Sequence, residues 1–329
     1  MVPEHSDRHI EALDEIAGRD VGLVRRHEPL SRHCTWRIGG PADLLVEPGN
    51  VEQAVLLVKS VADAGLPLVV IGKGSNLLFS DRGIRGVVMK IGNRMANFSA
   101  RGNRLFAAAG ISMPWFARKA GRMGISGFEH TVGIPGTLGG LVLMNGGSQR
   151  KSIGTNVTRI WGITRAGGPV CVEAGECDFS YRHCRLPYDG LIITGAELTG
   201  VTGDPRAIRR EMLAVLRDRR SKFPLKQPNC GSVFLSTPDL HAALGAPGKI
   251  IENVGLKGAS VGGAQVSPKH ANFIVNRGEA SACDVLSLIG RVRKDVAARY
   301  GVELCCEVRY VDDTGKTLSV DEVCATIEE

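Results

Sequence analysis

Apolar residues recur every three or four positions along VEQAVLLVKSVADAG at 51–65, and the run closes on a glycine. That spacing predicts an amphipathic helix with Gly65 just past its end. The following PLVVIGKGSNLLFSD changes period: consecutive aliphatics predict a buried strand, and the glycines after them a turn. Short aliphatic runs at 86–91 (GVVMKI), 105–109 (LFAAA), 157–163 (VTRIWGI), 170–173 (VCVE) and 191–198 (LIITGAEL) predict more strands. A short helix is expected at 113–124 (MPWFARKAGRMG). The strands and helices lack the regular alternation of a doubly wound parallel sheet, which favours an α+β architecture.

Near 200–204 the stretch TGVTGDP ends the strand-rich region, and Asp204 with Pro205 occupies the favoured cap and first-turn positions of a new helix. Beyond it come the loop PLKQPNCGSVF, a short helix around 248–254, strand segments near 261–266 and 273–276, a long amphipathic helix at 281–300 and a strand at 303–310. At the other end a frayed N-terminal helix is expected. The organisation read from the chain is an N-terminal extension at 1–30, a first domain at 31–200, a second at 204–315 and a tail at 316–329.

Composition narrows the class. With 329 residues, 43% apolar and 23% charged, the chain has the make-up of a soluble globular protein. Aromatics at 5% and 42 glycines fit backbone-lined ligand sites better than stacking platforms for nucleic acid. The net charge of +7 favours an anionic ligand. The arginine-rich RAIRREMLAVLRDRRSK at 206–222 reads as a solvated helix face, so no nucleic-acid partner is expected. Nine cysteines without a CxxC pair suggest no metal site and read as reduced, buried thiols. No run approaches the length of a membrane span, and the start is polar and acidic where a signal peptide would be basic and then apolar, so a cytoplasmic location is expected.

The chemistry concentrates in two glycine-rich loops, GKGSN at 72–76 and GIPGTLGG at 133–140. Neither fits the Rossmann or Walker pattern. Successive main-chain N–H groups from two turns still suit a pyrophosphate, so a dinucleotide in another fold is the expectation; a tight turn between small elements is the plain alternative.

The stretches TWRIGGPADLLVEP, IGKGSNLLFSDRGIRGVV, GISGFEHTVGIPGTLGGLVLMNGG, YRHC, NCGSVF, GKIIENVGLKGASVGGAQVSPKHANFIVN and GVELCCEVRYV lie in the order and spacing of UDP-N-acetylenolpyruvoylglucosamine reductases. Over roughly residues 30 to 311 the chain resembles that family. The resemblance implies a PCMH-type (vanillyl-alcohol-oxidase-type) FAD-binding domain of two subdomains, followed by a smaller α+β substrate-binding domain. It implies that FAD meets Gly72, Lys73, Gly74, Ser75 and Asn76, then Gly133, Gly136, Thr137 and Gly140, with Gly139 also lacking a Cβ for close approach, and Asn145 and Gly146 beside the flavin ring. The first loop has no histidine, which implies non-covalent FAD. Arg182 and Ser232 stand fifty positions apart, which resembles the shorter, loop-lacking type of the family.

The family's reaction reduces an enolpyruvyl ether with NADPH through FAD. Charge pushed toward the carboxylate needs cationic or hydrogen-bonding partners, and a proton must reach C2. Ser232 matches the family's proton donor, and Arg182 and Glu307 match its other two catalytic residues. Read alone, these are a turn serine, a surface arginine and an exposed strand position. The resemblance also puts Lys222, Lys269, His270 and Asn272 on the side of a UDP-sugar substrate, though His270 reads equally as a buried, backbone-bonded histidine. A monomer is expected. Cys34, Cys184, Phe223 and the segment GGSQRKSIG at 146–154 depart from the common pattern, which keeps open a related reductase for another enoyl or dehydro substrate. A binding protein without turnover would have no need of the proton donor.

Overall fold

The structure is a computed structural model that describes residues 7–187 and 189–327. The chain divides into two compact units. The first comprises the chain up to Arg26 with Asp43–Lys73 and Gly86–Asp218, and the second His27–Ala42, Gly74–Arg85 and the chain from Arg219. The division is discontinuous where the sequence reading was linear.

The first unit is built on two sheets. In one, the strands run in the order Leu23–Pro29, Pro41–Glu47, Ile84–Lys90, Leu68–Ile71, the last two parallel with Leu68 opposite Val87. The other is antiparallel, in the order Pro169–Glu173, Val157–Ile163, Ile192–Thr199, Arg104–Ala108, Phe98–Arg101. Its central strand is buried from Ile192 to Leu198, as the mainly apolar stretch LIITGAEL predicts, and the buried Glu197 is paired with Arg104. Helix Val51–Asp63 starts where Asn50 accepts the Gln53 N–H at 2.8 Å, and it ends just before Gly65 at φ 64°. Helix Met113–Arg122 buries Phe116, whose ring meets Phe128 edge-on at 5.1 Å. Leu44, Leu57 and Val87 share one core with Leu105, Ile160 and Ala196.

The helix expected at the N-terminus is present over Asp7–Gly18, and the first six residues of the stretch expected to fray lie outside the described residues. Helix Asp7–Gly18 turns Leu13 (7% exposed) and Ile16 (2%) into that core, and His9 pairs with Asp43 at 3.0 Å. Two buried side chains and an ion pair hold it, features that a polar run conceals.

The second unit carries a three-stranded sheet with Arg309–Val311 between Thr317–Ser319 and, in parallel, Leu77–Phe79. A second sheet has Ala264–Val266 between Ser260–Val261 and Ile274–Asn276. Helix Ala282–Tyr300 begins in a Ser281–Asp284 capping box and stops at Gly301, φ 64°. The carboxylate of Asp81 accepts from Ala282 N–H at 2.8 Å and so adds to that cap. The buried Trp36 donates from its indole to Ile274 O at 2.8 Å. Helix Pro205–Lys222, which belongs to the first unit as far as Asp218, starts at Asp204 as expected, Asp204 accepting from Arg206 and Ala207.

The strand expected at 303–310 shortens to Arg309–Val311. Burial does alternate upstream, with Leu304, Cys306 and Val308 inside. The main chain there makes one isolated antiparallel bridge, Phe234 opposite Cys306, instead of a ladder: Glu307 N–H goes to Val233 O at 2.8 Å and Leu235 N–H to Cys305 O at 2.9 Å, while Cys306 N–H goes to the Asp321 carboxylate. The cysteines are all free, but Cys171, Cys283 and Cys305 are exposed, which corrects the expectation that the thiols are buried.

Candidate functional site

Lys73 follows the strand Leu68–Ile71, and burial pushes its ammonium below the ordinary lysine value. Among the described residues its hydrogen-bond partner is a neutral hydroxyl, Ser112 Oγ at 3.0 Å. Both residues line a cavity of about 410 Å³ with Asn93, Ala96, Ile111 and Trp115. A partly desolvated cation without a carboxylate in a cavity of that size suits an anionic ligand.

The second glycine loop borders the same place. Thr137 bridges to Ser112, Leu138 N–H donates to Ile111 O at 2.9 Å and Met113 N–H to Gly136 O at 3.1 Å. A Cβ at Gly72 would collide with the Thr137 hydroxyl, so the two loops abut where the sequence expected them to converge. The glycines are not equivalent, however. Gly139 lies in helix Leu138–Leu143, gives its N–H to Ala109 O and leaves 2.9 Å between a would-be Cβ and Ala109 Cβ. Its missing side chain therefore serves helix-on-sheet packing, which corrects the reading of Gly139 as a backbone donor to phosphate. Gly140 is exposed, with room for a methyl group. Gly133 is half-buried and Gly136 buried.

In the first loop no hydrogen bond within the described residues is donated by the main-chain N–H groups from Gly72 to Asn76. Gly74 sits at φ 57°, and a Cβ there would lie 2.6 Å from His33 O. The loop thus has the unspent donors and the Cβ-free backbone that a diphosphate cradle requires, and with Lys73 it fits FAD. Ser75 is half-buried; Asn76 directs its amide to Glu307 O at 2.9 Å.

Asn145 and Gly146 are occupied within the first unit. Asn145, at φ 42°, donates to Ser180 O at 2.6 Å and accepts from Gly154 N–H at 2.9 Å. Gly146 N–H goes to Leu141 O. Upstream, His130 is 1% exposed, neither ring nitrogen has a well-formed hydrogen bond among the described residues, and burial together with Lys151 holds its pKa at about 4.

Arg182 stands at φ 55° in a two-residue turn closed by hydrogen bonds between Ser180 and His183. Its guanidinium donates to Gly147 O at 3.3 Å. Gly147 begins the hairpin whose turn residues, Gln149 and Arg150, both have positive φ. Such turns favour Asn-Gly, so the departing segment at 146–154 keeps a strained geometry beside Arg182. Cys184 is buried, its thiol in contact with that of Cys177 and pushed up by desolvation.

In the second unit Ser232 follows Gly231 (φ 88°) and precedes Val233, whose carbonyl takes Glu307 N–H. The structure thereby sets Ser232 and Glu307 on adjoining segments. Cys230 is buried close to Glu307 and Cys34, and desolvation first, then the Glu307 charge, pushes its thiol well up. Cys34 is likewise raised by burial, which disfavours the reactive thiolate at both positions.

The residues expected on the substrate side have distinct surroundings. Lys222 is exposed at the end of its helix, while Lys269 Nζ donates to Arg220 O at 2.6 Å in the last turn of the same helix. His270 packs edge-on against Phe223 (5.3 Å) and Phe273 (5.1 Å), and Asn272 N–H points to its Nδ1 at 3.3 Å. Desolvation lowers its pKa, which keeps it neutral at pH 7. Asn272 bonds to the main chain of Phe234. Sequence reasoning missed Asn93, Ser112 and Trp115 in the Lys73 cavity; Ser112 before a helix and a lone exposed tryptophan carry no separate signal.

Two family descriptions match the chain. "FAD binding domain" covers residues 42–177, and "UDP-N-acetylenolpyruvoylglucosamine reductase, C-terminal domain" covers 223–311. The UDP-N-acetylenolpyruvoylglucosamine reductase 1 of Corynebacterium glutamicum is 42% identical over 88% of this chain and 86% of its own length. That of Heliobacterium modesticaldum is 43% identical over 89% and 92%. The solved reductase (MurB) of Thermus caldophilus superposes with a TM-score of 0.75 at 30% identity, over 88% of this chain and 98% of its own. The expected α+β flavin-domain architecture is therefore present, and the chain belongs to the UDP-N-acetylenolpyruvoylglucosamine reductase family.

Proposed function

We propose that this chain reduces UDP-N-acetylenolpyruvoylglucosamine to UDP-N-acetylmuramate with NADPH, a step in making peptidoglycan precursors, and that it does so as a cytoplasmic monomer. The observation that most supports this reading is the likeness to curated reductases over nearly nine-tenths of the chain. The chemistry FAD supplies when bound is hydride transfer from NADPH to the enolpyruvyl double bond.

The chain's own residues then have five tasks. Lys73, with the N–H groups from Gly72 to Asn76, neutralises the cofactor diphosphate. Arg182 stabilises negative charge accumulating at the substrate carboxylate, since a guanidinium stays charged throughout. Ser232 delivers a proton to C2; a hydroxyl is a weak acid, so it needs a neighbour that stabilises the charge left behind and replaces the proton. Glu307, on the segment bonded to Val233, orients Ser232 or relays that proton. Lys222 serves the UDP phosphates, with Lys269 and His270 beside it; Lys269 must exchange its bond to Arg220 O to do so.

The test is NADPH oxidation with and without UDP-N-acetylenolpyruvoylglucosamine. Oxidation stimulated by the substrate, with UDP-N-acetylmuramate identified by mass, is expected. Oxidation that another enoyl ether stimulates and this one does not would replace the proposed substrate.

A further inference from the structure

Asn272, expected on the substrate side, has its side chain committed to the main chain beside Ser232. Its side chain is 5% exposed and its amide is paired in both directions with the main chain of one residue: Phe234 N–H donates to Oδ1 at 2.9 Å, and Nδ2 donates to Phe234 O at 3.0 Å. Its main-chain carbonyl takes Val233 N–H at 2.9 Å. Three hydrogen bonds from one residue therefore land directly after Ser232. On the other side of Ser232, Gly231 N–H is held by Asn229 Oδ1 at 2.9 Å, and Pro228 O by Asn276 N–H at 2.9 Å. Ser232 is thus one residue suspended between two ends that the segment 272–276 fixes. The opposite edge of the same peptide, Val233 O, takes Glu307 N–H, and Glu307 O is held by Asn76 Nδ2.

We propose that Asn272 is a positioning residue for Ser232, setting the place of its hydroxyl relative to Glu307 through the main chain of 233–234 without touching substrate. The proposal rests on the reading of Ser232 as proton donor. The residue type follows from the geometry. A carboxamide presents a donor and an acceptor in one plane, as a peptide does, so it substitutes for a neighbouring strand where no regular ladder forms. A carboxylate would accept from Phe234 N–H but set a second acceptor against Phe234 O.

Stopped-flow absorbance of the holoenzyme, following flavin reduction by NADPH and reoxidation by UDP-N-acetylenolpyruvoylglucosamine separately, tests this. Asn272→Ala is expected to slow reoxidation by roughly tenfold to hundredfold, the scale on which misplacement of a reacting group acts. Flavin reduction and the KM for the UDP-sugar should stay near those of the parent, and adding Asn272→Ala to Ser232→Ala should slow reoxidation no further. In Asn272→Asp, protonation restores a donor and an acceptor in one group, so its rate relative to the parent should recover as the pH falls. Amide hydrogen exchange at Val233 and Phe234 should quicken in the alanine variant.

A parental reoxidation rate in Asn272→Ala, a raised KM at unchanged kcat, or slowing that adds to that of Ser232→Ala would overturn the proposal. If the alanine variant does not fold, Asn272→Asp carries the test, and a rate deficit that does not shrink toward acid pH overturns it. Ser232→Ala with unimpaired reoxidation would instead refute the role of Ser232 itself, which separates the two failures.

Discussion

Lys73→Met deletes one charge and keeps most of the side chain's bulk, and it should move two measurements in opposite directions. Without flavin, burial disfavours the ammonium, and Ser112 Oγ at 3.0 Å offers one neutral bond in return. The folded-state pKa therefore lies below the ordinary 10.5. At neutral pH the cost of burying the charge is present in full; it fades once the pH passes the folded value and is gone above the unfolded one. Flavin-stripped Lys73→Met should accordingly melt at or above the parent at pH 7, with the difference shrinking toward alkaline pH. On the proposed assignment the charge faces the diphosphate of bound flavin, and a hydrogen bond to a charged group contributes about 1.5–3 kcal/mol. Losing it should weaken FAD binding roughly ten- to hundredfold. Thermal melting of the stripped protein and titration with FAD by fluorescence quenching read both signs. A variant that binds FAD as tightly as the parent, or whose stripped form melts clearly lower, would refute the assignment of Lys73 to the cofactor.

Other variants probe neighbouring parts. Gly136→Asp introduces a side chain and a negative charge into the loop beside Ser112, and purified protein should lose its flavin; full retention would move the phosphate cradle elsewhere. Ser232→Ala should leave flavin reduction by NADPH near the parent rate while slowing reoxidation by substrate by roughly 10² to 10⁴, the worth of a positioned acid; equal slowing of both steps would make Ser232 structural. Burial holds His130 at a pKa of about 4, below its ordinary 6.5, so folding stability should decline as pH falls from 6.5 toward 4. His130→Phe should flatten that part of the stability curve measured by urea unfolding, and an unchanged slope would contradict the burial argument.

Local signals were legible in the chain where one residue dictates one geometry. Gly65 past a helix, Asp204 before Pro205 and the run around Ile192–Leu198 each act through neighbours a few positions away, and each appears as expected. The 303–310 segment shows the limit of such signals. Its burial alternates as in a strand, yet partners as distant as Val233 and Asp321 take its N–H groups singly, and no periodicity encodes that. The candidate site divides in the same way. The glycine-rich loops carried two readings, a phosphate cradle or a tight turn, whereas Ser232 carried no signal beyond the family resemblance, because a serine's role depends on what stands across from it. The assignment of His27–Ala42 and Gly74–Arg85 to the second unit was also hidden, since it depends on contacts far along the chain, such as that of Trp36 with Ile274.

The most direct measurement is an anaerobic single turnover: holoenzyme is reduced by one equivalent of NADPH and then mixed with UDP-N-acetylenolpyruvoylglucosamine, with UDP-N-acetylglucosamine as the control. Recovery of oxidised-flavin absorbance with the enolpyruvyl compound alone, matched by one equivalent of UDP-N-acetylmuramate, is expected. A flavin that NADPH reduces and the enolpyruvyl sugar leaves reduced would contradict the proposed function.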